Sequence, residues 1–201
     1  YALGIRARPP RAYQGGKLGF VVLDSDLRKY LHFFKKYTLA LRTSAGVSYG
    51  WDDAENPHKF LVGGDFFTLN YRSNSDNLDG TQRQRYFSRI ETPMRGFHYY
   101  DFVGNHKWIN NAELRLPFIE RLTLGWPPIT FTKIMGNLFM DYGGAWQSGE
   151  KAWDNMGLGF GWGLRMNLGV FVLKFTRAWD NDSLGDIHHG EVDYWSLGAE
   201  F

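Results

Sequence analysis

Arg95, Glu113 and Asp141 are the residues of this 201-residue chain best placed to do chemistry together. Arg95 sits in Met94-Arg95-Gly96-Phe97, inside a long polar stretch. Glu113 and Asp141 fall on the polar parity of the next two alternating segments. A guanidinium held between two carboxylates makes bidentate, charge-assisted hydrogen bonds, which is anchoring chemistry rather than catalysis. A second group, Asp182-Ser183-Leu184-Gly185-Asp186-Ile187-His188-His189, brings Ser, Asp and His into one segment. A hydrolytic triad needs members converging from separate elements, with the base oriented by a third group. One polar hairpin loop does not provide that, so no catalytic residue and no enzyme activity is expected. His188, His189 and Glu191 have metal-ligating types but no fixed scaffold, and neither a metal nor another cofactor is expected.

The elements that must position these residues read as strands. Met156, Leu158, Phe160, Trp162, Leu164 and Met166 share one face, opposed by Gly157, Gly159, Gly161, Gly163, Arg165 and Asn167. Four glycines opposite a large apolar row imply that something packs closely on the glycine face. Phe171, Leu173, Phe175 and Trp179 make the next row, after a tight turn at Asn167–Gly169. Ile134, Leu138, Met140 and Tyr142 oppose Lys133, Asn137 and Asp141; Trp108, Ala112, Leu114 and Leu116 oppose Lys107, Asn111, Glu113 and Arg115. Leu39, Leu41, Ala45, Val47 and Tyr49 oppose Arg42, Ser44, Gly46 and Ser48, and Lys17–Leu31 and Tyr1–Arg8 are weaker candidates. The last segment, Glu191–Phe201, puts Trp195, Leu197, Ala199 and Phe201 on one parity, a closing strand with a terminal aromatic signal. About eight strands and no helical period predict an all-β, antiparallel transmembrane β-barrel. A soluble all-β sandwich is the alternative.

Composition agrees with a bilayer β-protein. The chain is 17% aromatic, with 24 glycines and no cysteine, and its net charge is only +2, which gives no argument for nucleic acid. Mean hydropathy of −0.40 excludes a helical membrane protein but not a barrel, where every second strand residue meets lipid. Placing the C-terminus at the periplasmic end leaves short inner connections at Asn167–Gly169, Phe118–Pro128 and His32–Lys36. The outer ones are then Asn181–His189, Ala145–Asp154, Pro9–Gln14 and the long stretch 51–104. Tyr49, Trp51, Tyr142, Trp146, Trp153 and Trp179 gather at the outer ends, and Phe33, Phe34, Tyr37, Phe118, Trp126 and Phe201 at the inner ends. Loop 51–104 is too long for a hairpin connection. It either lies idle on the surface or folds into the lumen, where Arg95 would meet Glu113 and Asp141.

Met94-Arg95-Gly96-Phe97 resembles the Val-Arg-Gly-Phe/Tyr signature in the sixth outer loop of the BamA-like outer-membrane assembly and translocation superfamily, the bacterial surface antigen barrels. Ala112-Glu113-Leu114-Arg115-Leu116-Pro117 and Phe139-Met140-Asp141-Tyr142-Gly143 are similar to the two strands that follow in that family. Gly157-Leu158-Gly159-Phe160-Gly161 with Arg165, the terminal Phe201 and the upstream Asp26-Leu27-Arg28-Lys29-Tyr30 keep the family order. Met94 departs from the usual β-branched residue. The resemblance implies a loop arginine held inside the barrel by two carboxylates, here Arg95 with Glu113 and Asp141.

It also implies a barrel of about sixteen strands, of which this chain supplies the C-terminal eight or so. A closed eight-stranded barrel is filled by its own side chains and has no room for a fifty-residue loop. The rest is therefore expected from a missing N-terminal part or a second chain. No secretory leader is visible at Tyr1-Ala2-Leu3-Gly4-Ile5-Arg6, so a mature chain or a fragment is expected. The expected setting is the cell outer membrane of a Gram-negative bacterium, in contact with lipids and lipopolysaccharide. The expected function is non-enzymatic insertion or translocation of client proteins, with periplasmic or lipoprotein partners. The alternative is a barrel anchor or secretion channel for a fused or partner domain.

Overall fold

The computed structural model describes residues 2–8, 20–34, 36–50, 58–66, 68–70, 88–127, 130–168, 171–181 and 188–199, with the backbone alone at 2–8, 132 and 199. Eight long strands form one antiparallel sheet: β1 (Ala2–Arg8), β2 (Phe20–Phe33), β3 (Tyr37–Gly50), β7 (His106–Thr123), β8 (Thr130–Trp146), β9 (Met156–Leu168), β10 (Phe171–Asp180) and β11 (Glu191–Ala199). Each pairs with the next in that order, and β1 and β11 stand at the two edges. The remaining strands, β4 (Phe60–Val62), β5 (Arg89–Glu91) and β6 (Phe102–Gly104), lie within the connection between β3 and β7. They make a small sheet of order β5-β4-β6, parallel on one side of β4 and antiparallel on the other. No described helix is long and apolar enough to cross a membrane.

The period-2 alternation dictates which face is which. Leu138, Met140, Trp195 and Leu197 are roughly half exposed, whereas Ser44, Lys107, Asn111, Asp141 and Thr176 on the opposite parity are buried. Apolar residues outside and buried polar residues inside reverse the pattern of a soluble sheet; this is the pattern of a membrane barrel wall. Tyr49 and Trp153 near the long-loop end, and Phe34, Phe118 and Trp126 near the other, are exposed aromatics. Trp51 and Phe201 lie outside the described residues, as do the Pro9–Gln14 connection and Asp182, Ser183 and Asp186.

The structure corrects the reading near one end of β7 and β8. The Phe118–Pro128 connection is shorter than expected, because β7 runs on to Thr123 and β8 begins at Thr130. Pro117 does not end the strand; a register shift between Pro117 and Ile119 absorbs it, and pairing resumes at Ile119–Ile134. A second shift lies between Thr132 and Met135, where Lys133 takes a left-handed φ of 50°. In consequence Ile134 is buried instead of sharing the exposed row of Leu138 and Met140, and Lys133 is exposed.

The β3–β7 connection packs on the polar face of the large sheet. Phe60, Val62, Met94, Phe97 and Phe102 of the connection form one buried apolar cluster with Val22, Ile109 and Ala145 of the wall. A short segment of the same connection lies along the outer edge of β11. Thr68 bridges Ser196 in antiparallel fashion, the Leu69 N–H donates to the Trp195 carbonyl at 2.5 Å, and the Trp195 N–H donates to Asn70 Oδ1 at 2.9 Å.

Candidate functional site

Arg95 is the largest fully buried side chain described, at 1% exposure. Its Nε donates to Asp141 Oδ2 at 2.7 Å, Nη2 to Asp141 Oδ1 at 2.9 Å and Nη1 to Glu113 Oε2 at 2.8 Å. The Arg95 backbone N–H adds a fourth bond, to Asp141 Oδ2 at 3.0 Å. The planar guanidinium lies 3.6 Å over the centre of the Phe139 ring, so an aromatic face supports the fork from beneath. Asn111 donates to Asp141 Oδ1 and to the Pro93 carbonyl, and Arg42 donates to the Thr92 carbonyl. Strand pleating explains the assembly: Asn111 and Asp141 are register partners across β7 and β8, and both point to the buried face. Glu113 is in turn held by Arg115 Nε at 2.9 Å.

Glycine lets the backbone of the loop come this close. Gly96 has φ of +98°, a left-handed conformation that side-chain-bearing residues avoid. On the wall, a β-carbon at Gly159 would overlap the Arg95 carbonyl oxygen, and one at Gly157 would overlap the Phe97 ring. The glycine face of β9 is therefore the bed on which Arg95-Gly96-Phe97 rests. From the last strand, the buried Tyr194 hydroxyl accepts the Gly96 N–H at 3.0 Å and donates to the Phe97 carbonyl at 2.7 Å.

Two further ion networks fasten the same loop. Lys107 of β7, fully buried, bonds Asp24 of β2 at 2.9 Å and Glu91 of β5 at 2.8 Å. Arg89 bonds the same two carboxylates, at 2.7 Å each. Two cations and two anions thus neutralise one another, as buried charges must. At the other flank, Asp65 accepts from Lys174 Nζ at 2.5 Å and from Thr176 Oγ1 at 3.3 Å. Arg95 itself borders a recess of about 420 Å³, lined also by Arg42, Glu113, Arg115, Arg165 and Lys174 among others.

The Omp85 superfamily domain matches residues 3–201, nearly the whole length. The chain belongs to the Omp85 superfamily. Omp85 proteins are outer-membrane β-barrels that insert or translocate proteins, and the open eight-stranded sheet is an incomplete barrel of that kind. No curated protein matches this Omp85 chain significantly.

The structure brings Met94, Arg95, Gly96 and Phe97 together with Glu113 and Asp141; Met94 and Phe97 are buried beside the fork. Trp195 and Leu197 stand on the exposed face of the Omp85 sheet's last strand. His188, His189 and Glu191 do not converge. His188 Nδ1 faces Asp180 at 3.0 Å, Glu191 pairs with Arg177 at 3.2 Å, and His189 turns to Asp101 at 2.7 Å. Asp24, Arg89, Lys107 and Asp65 belong to no motif of the sequence. Lys107 sits on the polar parity, but alternation does not tell a lumen charge in water from one under a docked loop.

Proposed function

We propose that this Omp85 chain is part of a non-enzymatic machine that inserts or translocates client proteins at the outer membrane, with loop 51–104 docked inside the barrel as a fixed structural element. The observation that carries this reading is the Arg95 fork on Asp141 and Glu113, in a chain that matches the superfamily over residues 3–201. The fork commits every nitrogen of the guanidinium to protein carboxylates and so acts as an anchor. The remaining strands of the barrel come from sequence outside these residues or from a partner chain, and lipid and lipopolysaccharide surround the apolar exterior.

The test is reconstitution of the full native polypeptide in liposomes, with an outer-membrane β-barrel offered from urea as client. Faster client folding than in protein-free liposomes, read by heat-modifiable electrophoresis, supports insertion. No acceleration, together with delivery of a fused domain to the protease-accessible side, overturns it in favour of an anchor or secretion channel.

A further inference from the structure

Away from the Arg95 fork, two histidines and an aspartate from separate parts of the chain meet where the long loop touches the β10–β11 connection. The His98 and His189 rings stack with centroids 3.8 Å apart and planes 30° from parallel. His189 Nε2 lies 2.7 Å from Asp101 Oδ2, and one ligand atom from each of the three residues falls within 4.8 Å of the others. We infer that His98, Asp101 and His189 form a binding site for a late first-row divalent cation, with Zn²⁺ the fitting ion, which clamps the long loop to the outer end of the last hairpin.

The donor set argues for this class of ion. Two imidazoles and one carboxylate suit zinc and its neighbours, whereas calcium and magnesium take oxygen ligands. Zinc sites with three protein ligands keep a fourth position for water. Asp101 is buried and His189 is partly exposed, so a side open to solvent is present. Zinc bonds of about 2.0–2.2 Å place ligand atoms roughly 3.3 Å apart in a tetrahedron, closer than the present spread of up to 4.8 Å, so the site closes only as the stacked His98 and His189 rings turn out of parallel and aim their lone pairs at one point. The supporting bonds are already made. The His98 N–H donates to Asp101 Oδ2 at 2.6 Å, while the His189 and Gly190 N–H groups donate to Asp180 at 2.7 and 2.9 Å. Such outer contacts fix the direction in which ligands point.

The experiment uses the full polypeptide, purified without a histidine tag, stripped with chelator and titrated with Zn²⁺ by calorimetry and with Co²⁺ by visible absorption. One saturable equivalent is expected in wild type, with affinity at least tenfold weaker in H98Q and in H189Q. H188Q, whose side chain faces Asp180, should bind as wild type does. Heat-modifiable migration checks that each variant is folded, and D101N replaces any variant that is not. Zn²⁺ should also slow trypsin cleavage of the long loop in wild type and not in H189Q. Absence of one-equivalent binding in wild type, or wild-type affinity in folded H98Q and H189Q, overturns the site.

Discussion

Gly159 lies so close beneath the Arg95 carbonyl that a β-carbon at position 159 would overlap that oxygen. The contact is backbone against backbone, so no side chain can swing aside to relieve it. Gly159→Ala is expected to lift the loop from β9 and destabilise the barrel by about 1–3 kcal/mol. Gly198→Ala, at a glycine with nothing within 4 Å of the added carbon, is expected to be neutral. The temperature at which heat-modifiable migration is lost reads both; equal values in the two variants would remove the bed role from β9.

The Arg95 fork gives a sharper expectation through its unequal partners. Asp141 is wholly buried, while the Glu113 side chain is 21% exposed. Arg95→Ala leaves an uncompensated buried carboxylate, costing about 3–5 kcal/mol, and Asp141→Asn in the same background should restore part of that. Glu113→Gln should cost less than Asp141→Asn. Arg95→Lys should not rescue, because a point charge does not reproduce a planar fork. Trypsin protection of loop 51–104 and barrel stability measure the series, and strict additivity of Arg95→Ala with Asp141→Asn would refute the coupling.

Tyr194→Phe removes one hydroxyl that serves two loop backbone groups. The Gly96 N–H is left unsatisfied in a buried place while the Phe97 carbonyl keeps only the Gly64 N–H at 3.1 Å, for a loss of about 1–3 kcal/mol. Slower hydrogen exchange at Gly96 in the variant than in wild type would contradict this.

A pH dependence follows from His189. Its hydrogen bond to Asp101 raises its pKa above the ordinary 6.5, partial burial opposes the rise, and the charges of Asp101 and of the nearby Asp180 add to it. His98 stacks on the same ring, and His188 faces Asp180. A raised folded-state pKa contributes stability that is complete below 6.5 and is lost as pH climbs through the folded value. In chelator, the long loop should therefore be cut faster by protease at alkaline than at mildly acidic pH, and Asp101→Asn should flatten the profile. With Zn²⁺ present the sign reverses, because metal binds neutral imidazole.

The eight-stranded antiparallel order is legible in the sequence because each strand repeats every two residues and one face must be apolar against lipid. Met156–Met166, with glycines opposite, shows this most plainly, and those glycines also announce a close neighbour. The bulge at Lys133 is not legible, since one inserted residue flips parity without changing composition. Nor is the Asp24–Arg89–Lys107–Glu91 network, whose members are brought together only by the docking of a loop. Pairing of His98 with His189, 91 positions apart in numbering, likewise depends on where the loop comes to rest.

The contact of Thr68, Leu69 and Asn70 with the edge of β11 makes the loop a tethered competitor for that edge. Any strand that joins β11 there must displace residues 68–70, and the tether holds the incumbent at an effective concentration far above that of a free rival. Release of the loop and capture of a strand are then two halves of one exchange equilibrium. By thermodynamic reciprocity, whatever tightens the docking of the loop weakens strand capture by the same factor.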